Sequence, residues 1–263
     1  MAIVFNSDAG TISGLSVGGL PDGIVDDGTL ASGIASSKLT GALPAISGAA
    51  LTGVSGGLQS QQVFTSSGTW TKPTGINLIK VTVVGGGGSG GGGGNSPGGS
   101  NNHDQGSGGG GGGTSIEIID VTSVSSVSVT IGAGGAGVGD YYDGNAGGTS
   151  SFGSYCSATG GAGGVKGDNS GHIDGGSGGA GSGGDLNFQG GVGDSGQQDT
   201  SFSPKKGSIG GNSFFGGVSK GLVTGGGSAG RTYGGGSGSG ASVIWGTTGT
   251  GGSGVVVIEE YIK

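Results

Sequence analysis

Apolar residues in this chain gather into a few short runs, and the runs read as strands. Ile76-Asn-Leu-Ile-Lys-Val-Thr-Val-Val84 alternates through Ile79, Val81 and Val83, the period of a strand with one buried face. Thr114-Ser-Ile-Glu-Ile-Ile-Asp-Val121, Val124-Ser-Ser-Val-Ser-Val-Thr-Ile131 and the terminal Val255-Val-Val-Ile-Glu-Glu-Tyr-Ile262 are equally rich in β-branched residues. Thr149-Ser-Ser-Phe-Gly-Ser-Tyr-Cys-Ser-Ala158 is a weaker strand. No stretch carries an amphipathic helix. The pattern predicts that residues 76–84, 116–121, 127–131 and 255–262 carry most of the core. The C-terminal strand is expected to pair with an early one, because loop closure costs rise only logarithmically with the length between them.

Residues 1–62 have another texture. Leu15, Leu20, Val25 and Leu30 recur every fifth position, and Leu-Thr-Gly occurs at Leu39 and again at Leu51. Glycine, proline or aspartate follows each apolar residue closely, which suits neither a helix nor a long alternating strand. A single chain of this kind cannot enclose a core, whereas several side by side can, with Leu15, Leu20, Val25, Leu30, Leu39, Leu43, Ile46 and Leu51 meeting on a shared axis. The expectation is an extended homotrimeric stalk or attachment segment; the composition also suits a disordered linker.

Between the later strands lie tracts dominated by glycine, 78 of the 263 residues. Collagen is excluded, since the chain has 5 prolines and residues 85–94 keep no Gly-X-Y triplet. Glycine has no Cβ, so extended glycine strands can pack closely. The fold class expected is therefore all-β: an antiparallel β-sandwich with long glycine-rich loops or polyglycine-II-like layers. Residues 1–62 form the stalk and residues 63–263 the glycine-rich β domain.

Charge narrows the functions. The formal net charge is −7, and the only adjacent basic pair is Lys205-Lys206. Nucleic-acid binding is not expected, because neutralising phosphates requires clustered Lys and Arg. No run approaches the roughly 20 apolar residues of a membrane span, and Met1-Ala-Ile-Val-Phe-Asn6 lacks the basic start of a secretory signal. One cysteine, Cys156, rules out an intramolecular disulfide framework and reads as a small core residue.

The segment from Phe64 to Gly94 joins an aromatic, Gly68-Thr-Trp70-Thr-Lys-Pro73 and a strand running into glycine. Together with Val127-Ser-Val-Thr-Ile-Gly-Ala-Gly-Gly135, Gly148-Thr-Ser-Ser-Phe-Gly153 and the terminal Gly-Val-Val-Val-Ile, it resembles the glycine-rich domain at the end of many bacteriophage tail-fibre proteins. Residues 39–53 are similar to tail-fibre linker repeats. The resemblance implies a virion protein, commonly trimeric, assembled in the host cytoplasm. It would be held by its N-terminus to other tail proteins, with its C-terminal domain meeting a host surface glycan or outer-membrane protein. A purely structural virion component and a glycine-rich ice-binding or matrix protein are the alternatives. The flat threonine face of an ice binder is missing.

Apparent catalytic motifs dissolve on inspection. Gly85-Gly-Gly-Gly-Ser-Gly90 satisfies a dinucleotide pattern, but glycine follows where a helix must open. Gly-x-Ser-x-Gly occurs at Gly14, Gly53 and Gly217, and such repetition marks chance. His103 and His172 sit in glycine tracts, and no carboxylate pair on strands suggests a glycosidase. No enzyme activity, cofactor or metal is expected; a calcium ion at Asp140, Asp143 or Asp168 stays open. For a fibre tip, contact falls to polar and aromatic residues that interrupt glycine: Asn101, Asn102, His103 and Asp104; Tyr141, Tyr142 and Asp143; Arg231 and Tyr233. The alternative for the tyrosines is packing on glycine layers.

Overall fold

The computed structural model describes residues 4–6, 11–13, 57–95, 103–167, 172–199, 206–222, 226–240 and 247–262. The chain divides into Met1–Val54 and Ser55–Lys263. In the first unit, β1 (Val4–Asn6) and β2 (Thr11–Ser13) form an antiparallel pair with Phe5 opposite Ile12. The expected axis residues Leu15, Leu20, Val25, Leu30, Leu39, Leu43, Ile46 and Leu51 lie outside the described residues.

The second unit is all-β, with no helix among its described residues. Its strands are β3 (Gly57–Phe64), β4 (Gly68–Thr71), β5 (Leu78–Val84), β6 (Gly94–Asn95), β7 (His103–Asp104), β8 (Thr114–Asp120) and β9 (Ser126–Thr130). Then follow β10 (Ser150–Phe152), β11 (Cys156–Ala158), β12 (His172–Ile173), β13 (Gly181–Ser182), β14 (Leu186–Phe188), β15 (Gly196–Asp199) and β16 (Val255–Ile262). One antiparallel sheet runs β14-β8-β5-β16-β3, and a second runs β13-β11-β10-β9-β4. The C-terminal strand lies inside the first sheet, between β5 and β3.

Two local expectations change. Residues 149–158 are a hairpin, β10 and β11, because Gly153 turns the chain at φ 52°. The strand β3 runs across residue 62, where the sequence placed the end of the stalk. Its Gly-Leu-Gln-Ser-Gln-Gln-Val-Phe carries almost no apolar alternation to mark it.

The two sheets close on Trp70, Ile79, Val81, Val129, Phe152 and Ile258, all buried. Trp70 and Phe152 meet edge to face at 5.9 Å. Cys156 is buried in the same core, and that burial pushes its thiol up to about 12. The carboxylate of Glu260 is buried in this core, and it ties the sheets together. It accepts the Trp70 indole N–H at 2.7 Å and the Gln62 amide at 2.8 Å, and it takes the Ser60 hydroxyl as well. A buried carboxylate is tolerable because donors surround it; removing them would leave its desolvation uncompensated. Ser60 and Gln62 lie on the inner face of β3, so this polar cluster also fixes the register of that edge strand.

The glycine tracts take the second of the two expected forms, a polyglycine-II-like packing. Gly85, Gly88 and Gly91 donate to the carbonyls of Gly113, Gly110 and Ser107, while Gly86, Ser89 and Gly92 donate to Gly148, Asn145 and Tyr142. Gly161, Gly164 and Gly167 donate back to Gly86, Ser89 and Gly92. A backbone that returns to the same neighbour every third residue has the period of a polyproline II helix, which has no internal hydrogen bonds. Its amides and carbonyls must therefore pair with other segments. Residues 105–113 repeat the pattern, donating to Val165, Ala162 and Thr159, to Asp194 and Gly191, and to Ser237 and Gly234.

Residues 85–93, 105–113 and 234–240 touch one another and are buried throughout. Around this triangle lie residues 132–139, 143–148, 159–167, 174–180, 189–195, 207–213, 216–222, 226–230 and 247–254. Three close-packed cylinders have nine neighbours, and these nine segments make one hexagonal shell. Glycine is required for the close approach: a Cβ on Gly88 would overlap the Ala162 carbonyl oxygen, one on Gly110 that of Ser177, and one on Gly236 that of Gly109. The Cα–H bonds in those directions point at the same oxygens, the arrangement of Cα–H···O contacts worth about 0.5–1 kcal/mol each. The buried serines fit because their hydroxyls take backbone partners: Ser89 Oγ accepts from Asn145 N, Ser107 Oγ from Val165 N, and Ser237 Oγ from Gly90 N.

Candidate functional site

The packed segments run alternately away from the sandwich and back, so the lattice has two different ends. Strands β5, β9 and β11 feed directly into outgoing tracts, and β8, β10 and β16 receive returning ones. At the tract ends remote from the sandwich the described residues are 94–95, 103–104, 140–142, 172–173 and 196–199. At the sandwich end the joins include Phe214-Phe215 and Arg231-Thr-Tyr233. Amide, charged and aromatic residues are concentrated in these joins, while the lattice is mostly glycine and serine.

The expected contact residues divide between the two ends. At the far end, His103 and Asp104 form β7, which pairs with β6 and β15, and Asp104 is buried. Tyr141 adopts φ 62° and lays its ring over Gly94, where a Cβ would meet ring atoms. Tyr142 is 68% exposed, and its carbonyl is held by Gly92 N at 2.9 Å. The exposed Asp143 accepts the Lys166 amide at 2.9 Å, which fixes the adjoining turn. Asn101 and Asn102 lie outside the described residues.

Arg231 and Tyr233 sit elsewhere. Gly234 contacts Gly85 and Val84 and is bonded by Gly112 N, at the sandwich end. Gly85 and Gly92 mark the two levels, about 20 Å apart at ~3.1 Å per residue. Arg231 is exposed there, and its carbonyl takes Gly235 N at 2.9 Å. Tyr233 is half-buried, and its carbonyl accepts the Ser213 hydroxyl. The nine candidates therefore do not make one surface.

The far end also holds a cleft of about 340 Å³ lined by Gln105, Asp194, Ser195, Gln197, Lys206 and Ile209. Gln105 is buried; its side chain donates to the Lys206 carbonyl and accepts Gln197 N at 3.3 Å. Sequence reasoning missed this cleft because its residues come from three stretches spread over a hundred positions. The signal available was their place: each stands where a glycine tract ends. Among the described residues no three His, Cys, Asp or Glu side chains are placed to hold a metal ion. Asp168 lies outside the described residues.

A family model described as a glycine-rich domain matches residues 61–261. No curated protein matches the chain.

Proposed function

The chain belongs to the glycine-rich domain family, and we propose that it is a non-enzymatic bacteriophage tail-fibre protein that meets a host receptor through the far end of its glycine lattice. The observation that carries the reading is the partition of chemistry. Residues 85–93, 106–113 and 234–240 hold only glycine and serine, since a Cβ there mostly meets carbonyl oxygens, and side chains able to recognise a ligand collect at tract ends and in the joins. Loops on a stiff scaffold are where binding groups are placed without an ordering cost at each encounter. In this reading the N-terminal unit, Met1–Val54, trimerises and attaches to other tail proteins, and the receptor is a surface glycan or outer-membrane protein. The polar cleft and the exposed Tyr142 supply hydrogen bonds and an aromatic face for such a ligand.

Adsorption of phage carrying variant chains tests this. Tyr142→Ala combined with Asp194→Ala is expected to lower adsorption to host cells at least tenfold, with melting within about 2 °C of the parent, as surface substitutions usually give. Arg231→Ala, at the opposite end, is expected to adsorb normally. Normal adsorption by the far-end double variant would overturn the placement.

A further inference from the structure

Strand β3 is an edge of the first sheet and is bonded to β16 alone, whereas β5, β8 and β16 each have two neighbours. Register fixes its direction. Phe64 lies opposite Val256, beside the lattice, and Gly57 lies opposite Ile262, at the end of the sandwich remote from it. The chain therefore enters the sandwich at one end of this unit, and Tyr142 and the polar cleft stand at the other. Below Phe64 the inner face of β3 is polar, where an antiparallel sheet usually turns apolar residues to its core. Ser60 stands directly opposite Glu260, and Gln62 is the next residue on that face. Both donate to the Glu260 carboxylate, Gln62 at 2.8 Å, and the Trp70 indole of β4 completes the cluster at 2.7 Å. Apolar burial is non-directional, whereas hydrogen bonds hold a geometry. A slip of β3 by one residue would turn both donors to the other face. A bulge between Glu260 and Tyr261 falls at the same point of the ladder, and bulges pin register.

We propose that β3 is a force-bearing clamp, loaded in shear when this unit is pulled between its entry at Gly57 and its far end, with the Glu260 cluster as the lock on its register. The inference rests on the proposed function, in which the N-terminal side is held by the tail and the far end by the host. Bonds of an antiparallel ladder lie perpendicular to the strands. Tension at Gly57 directed away from the lattice runs along β3, so it strains the seven residue pairs of the β3–β16 ladder together. The lattice is loaded in the same way, because its tracts bond to neighbouring tracts and not internally. Tension between Gly57 and Ile262 acts differently. These two residues are the last pair of the ladder, and pulling them apart breaks the bonds one pair at a time. The same strand is strong lengthwise and weak when peeled. A lock belongs on β3 because β5 and β16 are gripped from both sides and β3 from one.

Optical-tweezer unfolding of the full chain tests this, because forced unfolding reads the unfolding barrier. One handle is fixed at the N-terminus. The second is placed either through Tyr142→Cys, at a far-end residue 68% exposed, or at the C-terminal Lys263; the buried Cys156 takes no handle. Pulled through position 142, the sandwich is expected to rupture at about twice the force needed through Lys263, or more. Ser60→Ala combined with Gln62→Ala is expected to lower the lengthwise force by about a third or more, and the force between the termini by less. Gln62→Ala alone, which keeps the Ser60 and Trp70 donors, gives the same reading with a smaller drop. Gln61→Ala, on the opposite face of the strand, is expected to rupture as the parent does. Equal parent forces in the two directions overturn the shear loading, and that comparison needs no substitution in the clamp. Variants at residues 60 and 62 that rupture lengthwise at the parent force overturn the lock. Neither readout involves adsorption, so far-end variants that adsorb normally would fault the receptor placement and leave the clamp standing.

Discussion

Replacing Gly110 by alanine is expected to lower the melting temperature of the domain by about 10 °C or more. Gly110 belongs to the central triangle, and its new methyl would overlap the carbonyl oxygen of Ser177. Overpacking in an ordinary core costs about 1–3 kcal/mol because side chains give way. Here the obstacle is backbone, held by hydrogen bonds of its own: Gly110 donates to Ala162 and accepts from Gly88. Separating the segments to admit one methyl would lengthen bonds on several sides, so the cost should exceed about 4 kcal/mol, the range of a diagnostic core lesion. At about 2–4 °C per kcal/mol for a domain of this size, that is a loss visible in any melting curve. Gly139→Ala is the matched control. Its added methyl meets nothing within 4 Å, and the substitution is expected to shift melting by no more than about 0.5 kcal/mol's worth. Equal melting of the two variants would mean that the lattice is not packed as described.

Ending the chain at Gly254 is expected to abolish cooperative unfolding altogether. Strand β16 pairs with β5 from Val255 to Tyr261 and with β3 from Val256 to Ile262, so its loss splits the first sheet. Val255, Val256 and Ile258 are fully buried. At about 1.5–3 kcal/mol per buried side chain the three contribute about 5–9 kcal/mol, against a whole-domain stability of about 5–15 kcal/mol. The Trp70 indole also loses its acceptor on Glu260. Thermal unfolding followed by circular dichroism reads the outcome; a sharp transition within about 5 °C of the parent would contradict the topology.

Much of the sandwich was legible in the sequence. Val255–Ile262 has the limits its β-branched run suggested, and its pairing with an earlier strand follows from the lack of any other partner for so apolar a segment. Cys156 is a core residue, as its type and place in the chain indicated. The strand β3 was illegible because glutamine and serine fill its inner face to serve one buried carboxylate, a tertiary arrangement with no local pattern. The hexagonal lattice was half legible. Absence of Cβ predicts close packing, but a threefold period leaves no mark in a run of identical residues, apart from serines such as Ser89 and Ser237 that seat against a neighbouring tract. The direction of each tract is likewise unwritten, which is why Tyr142 and Tyr233 looked like members of one site and lie about 20 Å apart along the bundle.

Hydrogen exchange at the glycine amides tests the packed lattice most directly, because it reads the bonds that define it. If residues 85–93, 105–113 and 234–240 are each surrounded by bonded neighbours, their amides should open only with global unfolding. They would then exchange at least a thousandfold more slowly than free glycine, alongside the amides of β5 and β16. Exchange of those three segments at the rate of an unstructured glycine chain, with β5 and β16 still protected, would contradict the account.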